Sequence, residues 1–307
     1  MAARDPEYDH FGPWALQISD RDPVPPIFRP HLVADEAPLF SLKIPRAIER
    51  RNAHPGMHLY DYLVVLNKEH LRVLTREGEV VRSSVFRYGD IQAIVYAEEL
   101  LAGNLRLVLP GETFDLPFNT VSSQLMDRVV KLIRGRYSSN DPVVDETGEQ
   151  DAFAAGGISD EDLSFYFAGL INELRTQSPG LRVLASQPNV AVGRIQDRGF
   201  RRLFFGLIGK TLLESLHMIH GSELRIVSRG RAFRYRGASV YGRHTCYLPI
   251  GNILGATWEP SDRDSAITRL ILAVHGGEFS FHFVRDNPMV PVYADLLSRS
   301  IDSSRGQ

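Results

Sequence analysis

The run Leu71-Arg72-Val73-Leu74-Thr75-Arg76 returns later in the chain as Leu224-Arg225-Ile226-Val227-Ser228-Arg229. Further on, Leu105 to Phe118 can be laid on Leu270 to Phe283 without a gap, placing Gly111 on Gly276, Phe114 on Phe279 and Phe118 on Phe283. The approaches are also alike: Lys43-Ile44 and Arg50-Arg51 sit like Arg194-Ile195 and Arg201-Arg202. A strand, a spacing, a hairpin and a following helix in the same order point to duplication, so one small fold has to be satisfied twice.

Within the first copy the pattern is that of short strands. Apolar and β-branched runs at Leu59 to Leu66, Leu71 to Thr75, Val80 to Phe86, Ile91 to Tyr96, Leu105 to Leu109 and Thr113 to Phe118 are divided by turn residues such as Gly89-Asp90, Gly103-Asn104 and Pro110-Gly111. This is the pattern of an antiparallel sandwich or barrel. The period then changes. Leu125, Val129 and Leu132, with Met126, Val130 and Ile133 beside them, predict an amphipathic helix after Asn119 or Thr120. Residues 138–162 carry eight acids and no Lys or Arg, the composition of a linker. Ser159-Asp160-Glu161-Asp162 resembles a capping box ahead of a second helix marked by Leu163, Phe167, Leu170, Ile171 and Leu174. Strands resume over 211–283, and a third amphipathic helix is expected from about Pro288 to Ile301.

The resulting expectation is mainly β with helices, in five parts. They are an irregular proline-rich arm over 1–36, a first domain over 37–136, an acidic linker over 137–160, a helical connector over 161–192 and a second domain over 193–302. Trp14, Leu16, Ile18 and Phe28 are the residues able to pin the arm to a domain surface.

Strands first and one closing helix last, with the segment Phe86-Arg87-Tyr88-Gly89-Asp90-Ile91 and its counterpart Tyr247-Leu248-Pro249-Ile250-Gly251-Asn252-Ile253, resembles the bacterial pleckstrin-homology-like family. The resemblance implies two β-barrels, each closed by its C-terminal amphipathic helix, acting as a scaffold that binds lipids, proteins or itself without catalysis. Six strands are evident in the first copy where that barrel has seven. Leu39 to Ile44, or a split of 91–101, has to supply the other.

Charge is the strongest feature outside the core pattern. The chain as a whole carries a formal charge of −2, which gives no global attraction for nucleic acid or membrane. Locally, from Leu224 to Trp258, there are six arginines (Arg225, Arg229, Arg231, Arg234, Arg236 and Arg243) and no Asp or Glu, with Phe233, Tyr235, Tyr241 and Tyr247 interleaved. Extending back to Val192 gives eleven cations against three acids. Fork-shaped guanidinium groups suit phosphate, so these six are the expected ligand-binding residues for an anionic partner, a lipid headgroup or an acidic protein surface. Alternatives are single-stranded nucleic acid stacking on the tyrosines, or a purely structural self-assembling scaffold. A short apolar run, Leu203 to Ile208, flanked by Arg201-Arg202 and Lys210, reads either as a buried element or as a shallow membrane wedge.

Catalytic and metal motifs are weak. Gly209-Lys210-Thr211 lacks the glycine five positions earlier that a phosphate loop needs, because Phe204 stands there. The histidine pairs His54/His58, His217/His220 and His275/His282 lack the four converging ligands zinc requires, and Cys246 offers a single thiolate. We therefore expect a non-enzymatic binding protein with no cofactor, metal or disulfide. It has no membrane-spanning run and is expected in the cytoplasm, peripheral to a membrane where it binds lipid, with homo-oligomers as a further partner class.

The acidic linker lies next in sequence to the basic second copy and is expected to screen it. Deleting 138–158 should raise the affinity for anionic vesicles at low salt, measured by co-sedimentation; unchanged affinity would remove this role.

Overall fold

The computed structural model describes residues 6–33, 37–137, 164–178, 180–192, 210–235, 240–261 and 264–305. The chain is mainly β with helices and divides into two compact units. The first comprises residues 1–91, 100–105 and 115–139; the second comprises residues 92–99, 106–114 and 140–307.

In the first unit, β2 (Phe40–Pro45), β3 (Tyr60–Leu66), β4 (His70–Glu77) and β5 (Val80–Arg87) form an antiparallel meander. Phe40–Pro45 is thus the additional strand that the sequence left open. The arm contributes a helical turn, α1 (Pro6–His10), and a two-residue strand, β1 (Leu16–Gln17), which pairs with β2 and covers its outer edge. Phe28, fully buried, and Phe11 join Leu59, Tyr60, Leu63 and Leu74 in one core, with Leu16 and Ile18 packed against it, whereas Trp14 is 43% exposed. Lys43 of β2 is 1% exposed. Its ammonium donates to the Pro23 carbonyl at 3.2 Å, lies 3.8 Å from Asp22 and stands over the Tyr60 ring, and burial pulls its pKa down. The arm is therefore held by charge as well as by apolar burial.

A 3-10 turn at Tyr88–Asp90 follows β5, and α2 (Ser123–Tyr137) lies against it. Met126, Val129, Val130 and Ile133 are its buried residues, at i, i+3, i+4 and i+7 as an amphipathic helix requires. Asn119 accepts from the Val121 amide and starts the turn that leads into the helix. The Tyr88 hydroxyl donates to the Asn67 carbonyl at 2.9 Å, Arg136 of α2 covers the ring, and burial pushes the phenol up to about 12.

The second unit is organised on a sheet with the order β8-β7-β6-β15-β13-β12-β9. Its strands are β6 (Ala93–Glu99), β7 (Ala102–Leu109), β8 (Glu112–Asn119), β9 (Arg182–Gln187), β12 (Ser215–His220), β13 (Glu223–Ser228) and β15 (Arg243–Pro249). Only the outer part of the β7–β8 hairpin, 106–114, belongs to this unit. β6, from the first repeat by sequence, pairs antiparallel with β15, from Arg243 opposite Glu98 to Tyr247 opposite Ile94. A second 3-10 turn, Ile250–Asn252, leads into β16 (Ile253–Ser261), β17 (Asp264–Val274), β18 (Gly277–Val284) and the closing helix α4 (Met289–Arg305). The additional length of the second copy forms a small sheet, β10 (Val190–Val192), β11 (Lys210–Leu212) and β14 (Phe233–Tyr235). Among the described residues, with β10, β11 and β14 of the second copy set aside, the same succession occurs twice: four strands, a 3-10 turn, three strands, a helix.

Side chains alternate along β12, so it serves two cores. Leu216 and Met218 meet Phe167, Leu170 and Ile171 of α3 (Phe165–Gln177), whose first turn is capped by Ser164. The capping box anticipated at 159–162 lies outside the described residues. His217 points the other way, towards Phe283 and Tyr293 of the main core.

Among the described residues no sheet closes into a barrel. In the second unit, β9 and β18 are joined through side chains instead of a ladder. Gln187, fully buried, accepts from the Val284 amide at 2.8 Å, and Asn287 donates to the Ser186 carbonyl at 2.7 Å. This seam is where the closed barrel of the sequence expectation gives way to two sheets.

The equivalent hairpin tips of the two repeats meet in this unit. Gly276 has φ of +99°, and a Cβ there would fall 1.9 Å from the Leu109 carbonyl oxygen. Gly276→Ala combines a disfavoured backbone with a clash against main chain. It should cost about 2 kcal/mol or more by chemical denaturation; a loss within experimental error would mean the two tips do not touch.

Candidate functional site

A cleft with a polar lining lies in the second unit, with a volume of about 250 Å³. Its floor comes from β12, β13 and β15, its wall from β18, and its mouth from the turn after β13. Ser215, Ser228, Arg231, His244, Glu278 and His282 supply the polar lining, and Phe279, Phe281 and Cys246 the apolar part. These residues converge because alternate positions of three neighbouring strands face the same side. Gly230, with φ of +76°, permits the tight turn and leaves room for His244, whose Nε2 would lie 2.4 Å from any Cβ at that position.

Two buried polar groups underlie the cleft. Glu214, 1% exposed, accepts from Arg229 Nη2 and Nε at 2.7 and 2.9 Å on one carboxylate oxygen. Its other oxygen has no hydrogen-bond partner among the described residues. The Arg229 guanidinium also covers the rings of Tyr166 and Phe167, tying α3 to the sheet. His217 is fully buried; its Nδ1 lies 3.0 Å from the Tyr293 hydroxyl and its Nε2 3.4 Å from Ser215 Oγ. Burial holds this imidazole neutral, lowering its pKa to about 3. The Cys246 thiol is pushed up by burial and by Glu223, which makes it a poor nucleophile. Burial likewise lowers the pKa of His244, opposed by Glu99 and assisted by Arg106.

The six arginines singled out from sequence take different places. Arg225 on β13 is 5% exposed and lies over the Tyr247 ring. Arg229 is in its pair with Glu214. Arg243 bonds Glu98 across the β6–β15 join at 2.5 Å. Arg231 and Arg234 are exposed, and Arg231 stands at the cleft mouth. Arg236 lies outside the described residues, as do Arg194, Arg198, Arg201, Arg202, the apolar run 203–208 and the acidic linker. Tyr235 and Tyr241 are 51% and 64% exposed. Lys210 begins β11 with its ammonium 3.7 Å from the Phe233 ring centroid. Among the described residues no three His, Cys, Asp or Glu side chains converge as metal ligands, and no helix is long and apolar enough to cross a membrane.

The sequence reading missed Glu214 and Glu98 as partners of Arg229 and Arg243, because both lie outside the acid-free stretch. It also missed the polar lining of the cleft. A signal existed in the alternation: Ser215 and His217 share one face of β12, and Ser280 and His282 share one face of β18.

No protein-family model matches the chain, and no curated protein matches its sequence.

Because the His217 ring stays neutral in the fold while an unfolded ring takes a proton below about 6.5, its contribution is complete above that pH and is lost as pH falls towards 3. His217→Gln keeps a hydrogen-bonding group without titrating. Between pH 6 and 4 the wild type should lose stability faster than this variant, by about 1 kcal/mol per pH unit, in denaturation midpoints converted to free energy. Parallel slopes would show that the ring is not held neutral.

Proposed function

We propose that this chain is a non-enzymatic binding protein of the tandem pleckstrin-homology-like kind, whose second copy takes an anionic partner, a lipid headgroup, at the rim formed by Arg231 and Arg234. The carrying observation is that these two arginines are exposed and have no acidic partner among the described residues, while Arg225, Arg229 and Arg243 are engaged inside the unit. A guanidinium left facing water is available for charge-assisted bonds to phosphate. The lining of the neighbouring cleft suits a head that also carries hydroxyls, since Ser215 and Ser228 are part of it. The element order supports the family reading, since among the described residues four strands, three strands and a closing helix occur twice once the inserted β10, β11 and β14 are set aside. On this reading the protein is cytoplasmic and peripheral to a membrane.

Co-sedimentation with anionic and neutral vesicles, at low and physiological salt, tests the proposal. Wild-type protein should pellet with anionic vesicles only, and Arg231→Glu with Arg234→Glu should weaken this by about tenfold or more. Absence of wild-type binding, or a folded double variant that binds normally, would overturn it. The exposed rings of Tyr235 and Tyr241 favour a second reading, single-stranded nucleic acid stacked beside the same arginines. That reading predicts oligonucleotide affinity falling steeply with salt and lost on Tyr235→Ala with Tyr241→Ala.

A further inference from the structure

We infer that this chain associates with a second copy of itself by adding β5 of one molecule to β16 of the other. The starting point is the join already present inside the chain. β6, the fifth strand of the first repeat, pairs with β15, the fourth strand of the second. The reciprocal strands, the fourth of the first repeat and the fifth of the second, are β5 and β16. Each ends its sheet, in the orders β1-β2-β3-β4-β5 and β16-β17-β18, so among the described residues each has one side without a strand neighbour. An edge of this kind is a template for another strand.

The register of the existing join can be transferred. The 3-10 turns Tyr88–Asp90 and Ile250–Asn252 each lie between the two strands in question and put Gly89 on Gly251 and Ile91 on Ile253. Through this correspondence the pairing of His244 to Tyr247 with Ala97 to Ile94 becomes Arg82 to Val85 with Glu259 to Ala256. Arg82 then stands opposite Glu259, Ser83 opposite Trp258, Ser84 opposite Thr257 and Val85 opposite Ala256. The existing join carries its own ion pair, Arg243 with Glu98; the transferred one places opposite charges one step along. Arg82 and Glu259 at present bond Glu77 and Arg269 within their own sheets, and Arg82 and Glu77 are well exposed. Val80 and Val85 are 67% and 50% exposed on β5, and Leu254 is 41% exposed on β16. Strand addition along these edges reduces that exposure. Pro260 falls opposite Val81 and, lacking an amide hydrogen, limits the ladder at that end. The occupant is a second copy because this chain itself carries both halves of the join and their matching register.

The test needs no ligand, so its outcome is separate from that of vesicle binding. The wild-type full chain should show a concentration-dependent mass above the monomer in sedimentation equilibrium. Arg82→Glu or Glu259→Arg alone should weaken association about fivefold to tenfold, and the two together should restore it. A chain carrying Ser84→Cys and Thr257→Cys should form chain-to-chain disulfides under mild oxidation. Ser83→Cys with Thr257→Cys should not, because a one-residue shift puts the side chains on opposite faces. A wild-type mass that stays monomeric at all concentrations overturns the inference. So does a disulfide that the Ser84→Cys, Thr257→Cys variant forms within a single chain, or an oligomer indifferent to charge reversal and to register.

Discussion

Everything in the second unit is arranged around the antiparallel contact of β6 with β15. These strands come from different repeats, and no hairpin turn brings them together. Their pairing has to be specified by their own side chains: Ile94 and Tyr96 are buried on β6, Cys246 and Leu248 on β15, and Arg243 meets Glu98 at the outer end. The consequence is a sheet in which strands from the first repeat continue into strands from the second. Without this contact, β15 would be an exposed edge and Val95 would leave the cleft, where it lines the floor beside Ile226 and Cys246.

The electrostatics follow from the same long-range assembly. A stretch of six arginines without a carboxylate looks like an open basic face when read along the sequence. In space, Glu214 comes from the strand connection before β12 and Glu98 from the first repeat, and each neutralises one arginine. A third, Arg225, is withdrawn against an aromatic ring. Burying a guanidinium is tolerable only where a carboxylate or a π-face stands in for water. Among the described residues, the part of the basic run that keeps its charge towards solvent is the short turn and strand after β13.

Much of the fold was legible because strand alternation and helix periodicity are local properties. The six strands read in the first repeat match β3 to β8 within a few residues, and the apolar stripe of α2 is the one its spacing predicts. The connection of Phe40–Pro45 to this set was less legible, since a long segment separates it from β3. Barrel closure was not legible at all. Whether two sheets meet through a ladder or through Gln187 and Asn287 depends on side chains nearly a hundred residues apart. The site suffered from the same limit: a charge count sees only neighbours in sequence, while the polar lining of the cleft hides among positions that alternate with apolar ones. The serines and histidine of β12 and β18 were readable as polar residues on strands, but only the packing shows that they share a cleft.

The β6–β15 join also imposes an order in time. Its ion pair links residues 145 positions apart in the chain. During synthesis the first repeat emerges while the strand that covers β6 has not yet been made. For that interval β6 presents an apolar edge, with Ile94 and Tyr96 along it, to whatever else is nearby. The duplication that gives this protein a continuous sheet therefore also gives it a period of vulnerability at each round of translation, ended only when the second repeat leaves the ribosome.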